Sequence, residues 1–448
     1  MEGLLRNRVQ RFIDRLAADR VNLHGFILSA GGQIKAKACY APFREEQMHR
    51  MYSVSKTMVG LAVGMLAEEG KLSLDQPVTD FFQDLLPEKP DERLLRLKIR
   101  DMLRMATCYE QTSYREGVDE DWTRPFFTDT PSHEPGTVFH YDTGCSQVLS
   151  SLVRRLSGEE VIDFLNRRLF EPLGCRDPRK WLRDPAGQCQ GGTGLCMSLR
   201  DLHTVARCLM EGGRGLVPSW YIREMTRKQI GTLMRENDEE RYGYGWQCWQ
   251  TRAGWAMYGM GGQMVIACPE QDALLCTVAD TRLDNWGIQK LYNAFFEEIV
   301  PGLGREDMEP ETWNLQALSL TSDPSLAVSA AGPFFFEQGN PLGMKSLALE
   351  GNRLSWENAG GKAELAFAPG GLAETDWPGR PGVPALAAAG WTEEPGLLRL
   401  QCHAVGDAPC GFEMLLLFRK DSVTLQARRS WDPLTEGYEG VATGRLRE

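Results

Sequence analysis

Long apolar runs are missing from this chain of 448 residues, and so is any run of basic residues. No stretch is long and apolar enough to cross a bilayer, and the first residues, MEGLLRNRVQRFIDRL, carry charges throughout instead of the apolar core of a secretory signal. The formal net charge is −11, and an acidic surface repels phosphate backbones. We therefore expect a cytoplasmic protein that binds neither a membrane nor nucleic acid.

Cysteine pairs with the spacing of a metal site or a redox motif are also lacking. The 12 cysteines form no C-x-x-C, and the 6 histidines are dispersed. Several cysteines stand in apolar contexts, such as LLCTVAD and VIACPE, which is typical of thiols buried as small hydrophobic side chains. We expect free thiols, no metal and no organic cofactor.

What the chain does have is a pattern that changes along its length. Strand-like segments stand near the N-terminus and again from about Tyr242, with a mostly helical stretch between them. This order predicts an α+β fold whose sheet is assembled from both ends of the unit. A break rich in Pro, Gly and acidic residues follows, PGLGREDMEPETW. We expect a first domain over residues 1–300, a linker over 301–313 and an all-β domain, sandwich or barrel, over 314–448.

The one Ser-x-x-Lys of the chain is Ser53-Val54-Ser55-Lys56, which opens the helical pattern SVSKTMVGLAVGMLAEEGKL. On the first turn of a helix, residues three apart share a face, so the amine can reach the hydroxyl and activate it to attack a carbonyl. The alternative is that Ser53 only caps the helix and that Lys56 is solvated. The helix is apolar nearly all round, which favours a buried, partly neutral Lys56.

The segment RMYSVSKTMVGLAVGMLAEEGKLSLDQPV resembles the nucleophile segment of the β-lactamase-related serine hydrolases. This group contains class C β-lactamases, penicillin-binding DD-peptidases, esterases, D-aminopeptidases and nylon-oligomer-type amidases. Further stretches agree in order and spacing: LKIRDMLRMATC, EPGTVFHYDTGCSQVLSSLVRRLSG, GGTGLCMSLRDLHTVARCLMEGG, YGYGW and YGMGGQMVIACPEQDALLCTVAD. The resemblance covers about residues 8–300. It implies a β-lactamase/transpeptidase-like fold, an antiparallel sheet flanked by helices plus a helical region, and an acyl-enzyme on Ser53.

The Tyr-x-Asn motif of that family matches Tyr141-Asp142-Thr143. The resemblance implies that Tyr141 shares the acid/base role with Lys56, and a phenol beside a cationic amine is expected to have a lowered pKa. Thr143 departs from the usual Asn, so it can donate a hydrogen bond to substrate but lacks the amide. Asp142 is expected to face away and to cap the following helix.

The third family motif, Lys-Thr-Gly or a relative of it, matches Met260-Gly261-Gly262, followed by Gln263. A register one residue earlier, Gly259-Met260-Gly261, stays open. Glycines here would let a substrate lie close to the strand. The alternative interpretation is a glycine-rich turn or bulge.

The resemblance implies an oxyanion hole made by the backbone N–H groups of Ser53 and Gln263. Penicillin-recognising enzymes place a cationic or hydroxylic residue where this chain has Met260, which offers neither charge nor hydrogen bond. We therefore expect an esterase or amidase that acts on a small, less anionic substrate. The polar segment 109–133 includes Trp122, a candidate either to shape the acyl pocket or to anchor its own loop.

Other functions stay open at this point. One alternative is a β-lactamase or D-amino-acid peptidase of the same fold. Another is a catalytically silent binding scaffold, which the joint presence of Ser53, Lys56 and Tyr141 argues against. A homo-oligomer is also left open.

Overall fold

The computed structural model describes residues 4–284, 286–304, 309–316, 320–329, 332–406, 409–430 and 432–446. The helices, in chain order, are α1 (Leu4–Ala18), α2 (Val54–Glu68), α3 (Glu92–Leu95), α4 (Ile99–Leu103), α5 (Pro125–Thr128), α6 (Thr143–Ser157), α7 (Val161–Leu165), α8 (Leu199–Met210), α9 (Ser219–Met225) and α10 (Gly287–Ala294). The first strands are β1 (Leu23–Ala30), β2 (Gln33–Ala41), β3 (Met48–Arg50), β4 (Lys180–Trp181), β5 (Leu195–Ser198), β6 (Trp249–Thr251), β7 (Gly254–Gly259), β8 (Gln263–Cys268), β9 (Ala273–Ala279) and β10 (Glu311–Gln316). The later strands are β11 (Phe334–Phe336), β12 (Ser346–Glu350), β13 (Arg353–Asn358), β14 (Gly361–Ala366), β15 (Leu372–Trp377), β16 (Arg380–Trp391), β17 (Leu397–Ala404), β18 (Gly411–Phe418), β19 (Ser422–Arg429) and β20 (Gly440–Leu446).

The first sheet has seven strands in the order β10-β2-β1-β9-β8-β7-β6. The strands from β2 to β6 pair antiparallel, and β10 pairs with β2 in parallel. Helices cover both faces: Gly25 lies against Leu199 of α8, whereas the next residue, Phe26, meets Phe12 of α1. The strands β1, β8 and β9 are therefore buried along their whole length. The predicted α+β arrangement, with its sheet assembled from both ends of the unit, is confirmed.

The helical region is built around α2. This helix packs against α6, α7 and β7. Its residues from Val54 to Leu66 are all buried, which explains why its sequence is apolar nearly all round. Gly70, in the left-handed conformation with φ 69°, follows the helix and reverses the chain.

The second sheet has ten strands, all paired antiparallel, in the order β14-β13-β12-β11-β20-β19-β18-β17-β16-β15. Its two edge strands, β14 and β15, contact each other, so the sheet curls into a nearly closed barrel. Burial alternates along β17, as a strand with one face on a core requires. The interior is aromatic: Phe412 stacks on Tyr438 with ring centroids 4.0 Å apart, and Trp377 meets the edge of Phe412. The all-β expectation for this region is confirmed.

The segment between the two sheets contains a strand, β10, that overlaps the end of the predicted linker. Residues 305–308 of the expected linker 301–313 lie outside the described residues, and β10 runs across its end into residue 316. Because β10 belongs to the first sheet, we propose that the division of the chain follows Gln316. Leu386 of β16 packs into the core of the first sheet, so the two units share an apolar contact.

The cysteines and the helices of the described residues bear on two expectations from the sequence. All twelve cysteines are free thiols, and all but Cys39 are buried, as expected. Within the described ranges, no helix combines the length and the apolar character that a membrane crossing requires.

Candidate active site

The chain enters α2 through a strained residue. Tyr52 has φ 45°, a left-handed conformation that costs a non-glycine residue about 1–3 kcal/mol. Ser53 follows in a helical conformation, and its hydroxyl forms no capping bond to α2 within the described part of the chain. Instead this hydroxyl accepts a hydrogen bond from Lys56 Nζ at 3.0 Å. The simple helix-cap alternative for Ser53 is therefore wrong, and the one-turn spacing brings the two groups together as predicted.

Lys56 is a buried amine. Its residue is 1% exposed, and Nζ also donates to the Gly192 carbonyl oxygen at 2.8 Å. Burial lowers the pKa of Lys56 to about 7, while the Cys145 thiol and the Asp142 carboxylate act in the opposite direction. A large fraction of the amine is therefore neutral at physiological pH, as a general base requires.

Tyr141 reaches the same point from the segment ahead of α6. Its ring stacks on Trp249 with centroids 5.6 Å apart, and Lys56 Nζ lies 5.0 Å from the ring centroid. Burial raises the pKa of Tyr141 above its ordinary value, and the interaction of its phenol with the Ser53 hydroxyl offsets only part of this rise. The expectation of a lowered phenol pKa is wrong, because desolvation outweighs the lowering by Ser53 and Arg235, so the Tyr141 phenol is protonated at neutral pH.

Asp142 and Thr143 begin α6. Asp142 Oδ1 accepts from the Gly144 N–H at 2.7 Å, so the predicted helix cap is confirmed. Burial raises the pKa of Asp142 to about 6, although hydrogen bonds such as that from the Gly144 N–H oppose this. The Thr143 N–H donates to Thr112 Oγ1 at 3.1 Å. Contact of the Thr143 hydroxyl with substrate stays a prediction.

Gly192 completes the cluster, and sequence reasoning gave it no role. A Cβ built on Gly192 would lie 2.3 Å from Thr143 Cγ2 and 3.3 Å from Lys56 Nζ. A side chain would therefore displace the carbonyl that holds Lys56. The only signal in the sequence is the glycine pair that begins GGTGLCMSLRD.

The third motif forms the turn between β7 and β8. Gly259 pairs with Gln263, which leaves residues 260–262 as the turn, and Gly261 and Gly262 have φ 84° and 96°. Only glycine adopts such values without strain. Met260 is 47% exposed on this turn. The segment is thus the glycine-rich turn of the alternative interpretation, and its role as the third motif stays a prediction.

This turn lies beside the segment that leads into Ser53. A Cβ on Gly259 would come within 2.1 Å of the Met51 carbonyl oxygen, so the end of β7 packs directly on the residues before Ser53. The Gln263 side chain is occupied within the sheet, donating to the Ala279 carbonyl at 2.6 Å. The backbone role of Gln263 in an oxyanion hole, and the choice between the two motif registers, stay predictions.

Trp122 lies within its own loop. It is buried and stacks on Tyr114 with ring centroids 4.3 Å apart, and its backbone N–H donates to Asp184 at 3.4 Å. These contacts favour the interpretation of Trp122 as a loop anchor. Its part in binding substrate stays a prediction.

A cavity of about 560 Å³ opens next to Tyr141. It is lined by residues 137–141 and 230–235. Leu233 and Met234 stand at its rim, 79% and 98% exposed. Its one arginine, Arg235, is paired with the buried Glu240 at 2.7 Å. Sequence reasoning missed this cavity, because exposed apolar residues in a loop follow no helical or strand period.

No group of three or more His, Cys, Asp or Glu side chains is placed to hold a metal among the residues described. The groups around Ser53 are those that acyl transfer requires. A hydroxyl, a buried amine and a protonated phenol meet at Ser53, beside a glycine turn that can hold substrate against the sheet.

Comparison with known proteins gives three kinds of match. Residues 20–298 match the Beta-lactamase family. The 6-aminohexanoate-dimer hydrolase of Paenarthrobacter ureafaciens is 26% identical over 42% of this chain and 52% of its own length, and esterase EstB of Burkholderia gladioli is 26% identical over 38% and 47%. The match thus spans about half the length of each of these relatives. The octameric penicillin-binding protein homologue from Pyrococcus abyssi is 14% identical and superposes with a TM-score of 0.53 over 99% of this chain and 100% of its own.

Proposed function

Because the chain belongs to the Beta-lactamase family, we propose that it is a serine hydrolase that forms an acyl-enzyme on Ser53 and cleaves small neutral esters or amides. The observation that carries this proposal is the hydrogen bond of 3.0 Å between Lys56 Nζ and the Ser53 hydroxyl. The amine in this bond is buried, and its pKa is lowered to about 7. A base with a pKa near the working pH is the most effective partner for a serine nucleophile.

The proposed reaction has two steps. Ser53 Oγ bonds to the substrate carbonyl carbon while Lys56 takes the hydroxyl proton, and the backbone N–H groups of Ser53 and Gln263 stabilise the oxyanion. The carbonyl carbon then loses the leaving alcohol or amine, which receives a proton through Tyr141, whose phenol is protonated at neutral pH. Lys56 restores the proton of Tyr141. Water attacks the acyl-enzyme by the same route in reverse and releases the acid.

The cavity beside Tyr141 supports a neutral, partly apolar substrate. Tyr141 lines both the catalytic cluster and this cavity, so a leaving group protonated by Tyr141 would extend into it. The charge of Arg235 is balanced by Glu240, and Met260 on the glycine turn provides no charge for a carboxylate. These features favour an esterase or amidase over a β-lactamase or D-amino-acid peptidase, whose substrates carry a carboxylate.

Intact-mass measurement after exposure to a fluorophosphonate tests the nucleophile. We expect one adduct on the wild type and none on Ser53→Ala. The matched control is Ser55→Ala, two residues along. The Ser55 hydroxyl accepts a hydrogen bond from the Leu195 N–H at 3.0 Å and should not react, so this variant should carry the same adduct as the wild type. An adduct that survives Ser53→Ala would refute the proposal. Turnover of p-nitrophenyl butyrate but not of nitrocefin is the result expected for an esterase, and the reverse would favour the β-lactamase alternative.

A further inference from the structure

One arginine outside the catalytic cluster connects three segments of the molecule. Arg282 follows β9, and its side chain is 6% exposed. Its Nη1 donates to the Tyr52 hydroxyl at 2.9 Å, and its Nη2 donates to the Pro409 carbonyl, between β17 and β18 of the second sheet. Its aliphatic part lies beside the glycine turn, since a Cβ on Gly261 would be 3.7 Å from Arg282 Cγ. Arg282 therefore contacts the residue before the nucleophile, the turn before Gln263, and the second sheet.

The contact with Tyr52 bears on the nucleophile directly. Tyr52 is the left-handed residue immediately before Ser53, and such a conformation persists only where the surroundings hold it. Two guanidinium groups lie close to its buried ring, with Arg50 Cζ at 4.8 Å and Arg282 Cζ at 5.4 Å from the centroid. The hydroxyl bond from Arg282 fixes the far end of the ring. The backbone direction at Ser53 thus depends on how Tyr52 is held.

The contact of Arg282 with the turn 260–262 bears on Gln263, the other proposed member of the oxyanion hole. Thr281, next to Arg282, donates its N–H to the Gly261 carbonyl at 3.0 Å. Gly261 and Gly262 have no side chains of their own to brace the turn, so its position depends on these neighbours. The turn leads directly into Gln263 at the start of β8.

The charge of Arg282 is balanced locally. Nε donates to Asp280 Oδ1 at 2.8 Å, and the Asp280 side chain is buried as well. A buried pair of this kind is held in one geometry because its remaining polar atoms are also bonded, here by Tyr52 and Pro409. The pair brings little net charge to the site, so its influence is geometric.

We propose that Arg282 is a positioning residue that sets the backbone N–H of Ser53 against that of Gln263, and that the second sheet contributes to this through the Pro409 carbonyl. The inference rests on the proposed function, since it assigns Arg282 to the oxyanion hole of that reaction. It gives the second sheet a part in catalysis without any contact with substrate.

The test compares Arg282→Lys with Arg207→Lys. Lysine keeps the charge but cannot bond Asp280, Tyr52 and Pro409 together through one planar group. Arg207 is the matched control, because it too is a largely buried arginine paired with an aspartate, Asp272, and its other partner is Glu211. For Arg282→Lys we expect kcat for p-nitrophenyl butyrate to fall about 10- to 100-fold with KM within about threefold, since an oxyanion hole acts on the transition state.

Two further readouts separate positioning from general stability. Affinity for a boronic acid, which forms a tetrahedral adduct on Ser53, should fall with kcat in Arg282→Lys and stay unchanged in Arg207→Lys. Tyr52→Phe removes only the hydroxyl that Arg282 bonds, and we expect a smaller loss of kcat, about 3- to 10-fold, as for one hydrogen bond.

The outcomes are distinct. Unchanged kcat in Arg282→Lys, a loss confined to KM, or equal losses in Arg282→Lys and Arg207→Lys would each overturn the positioning role while Ser53 is still labelled by the fluorophosphonate. An unlabelled wild type would overturn the proposed function, and the inference with it.

Discussion

The two sheets of this protein hold buried ionisable groups differently: the carboxylate that the second sheet buries, Glu413, is paired with two arginines. Beside the first sheet, the segment around α2 buries an amine, Lys56, and a carboxylate, Asp142, with pKa values that burial shifts toward neutrality. The interior of the second sheet is filled by aromatic and aliphatic side chains such as Trp377, Phe412 and Leu425. Burying ionisable groups costs stability, which a fold tolerates where they perform chemistry. The first region is therefore arranged for reaction and the second for stability.

The comparison predicts that changes in the first region remove activity more than stability. Lys56→Met keeps a chain of similar length but removes the base, so kcat/KM should fall about 10²- to 10⁴-fold. Thermal unfolding should show a Tm no lower than that of the wild type, because a desolvated amine is lost. Lys71→Met, at an exposed lysine just after α2, is the control and should leave both quantities unchanged. A large drop in Tm for Lys56→Met would contradict the division between the regions.

The pH dependence of activity should report on the same buried amine. Because burial lowers the pKa of Lys56 to about 7, the amine is neutral above that pH, and kcat/KM should fall about tenfold per pH unit below it. The charge of Asp142 raises the pKa of Lys56, so Asp142→Asn, which can still cap α6, should move this fall in kcat/KM, the acid limb of the pH profile, to lower pH. Steady-state rates between pH 5 and 9 measure the position of this limb. A limb that moves to higher pH in Asp142→Asn would refute the assignment to Lys56.

The smallest effect on activity is expected in the second region. Leu425→Ala in β19 removes a fully buried side chain and should cost about 2–5 kcal/mol of unfolding free energy. At temperatures where the variant stays folded, kcat should equal that of the wild type. Urea unfolding and kinetics on the same sample measure both. A fall in kcat in the folded variant would show that the second sheet influences the site more widely than through Pro409.

The proximity of the three candidate catalytic residues can be predicted from the sequence, because each of them carries a local signal. Ser53 and Lys56 share one helical turn, and Tyr141 stands in a stretch that resembles a known family. The α+β order and the all-β region follow from hydrophobic periods in the same way. The direction of the Tyr141 pKa shift does not, because it depends on how much water the folded site excludes.

The remaining parts of the site depend on contacts between distant segments. Gly192 acts through a backbone carbonyl, and any residue type carries one. Arg282 meets Tyr52 and Pro409 across 230 and 127 positions of the chain, with no motif to connect them. The edge position of β10 likewise follows from the sheet and not from its own six residues, since parallel pairing with β2 leaves no turn signal in the sequence.

The strand order of the first sheet has a consequence for synthesis of the chain. The strand β1 pairs with β9, so a central pair of the sheet joins residues about 250 positions apart, and such distant pairings form slowly. During translation Ser53 emerges early, but the strands that flank it on the far side are made much later. A ribosome-bound fragment that ends before β7 would carry the nucleophile without a working enzyme. Hydrolytic activity would thus first arise when the C-terminal half of the sheet joins the N-terminal half.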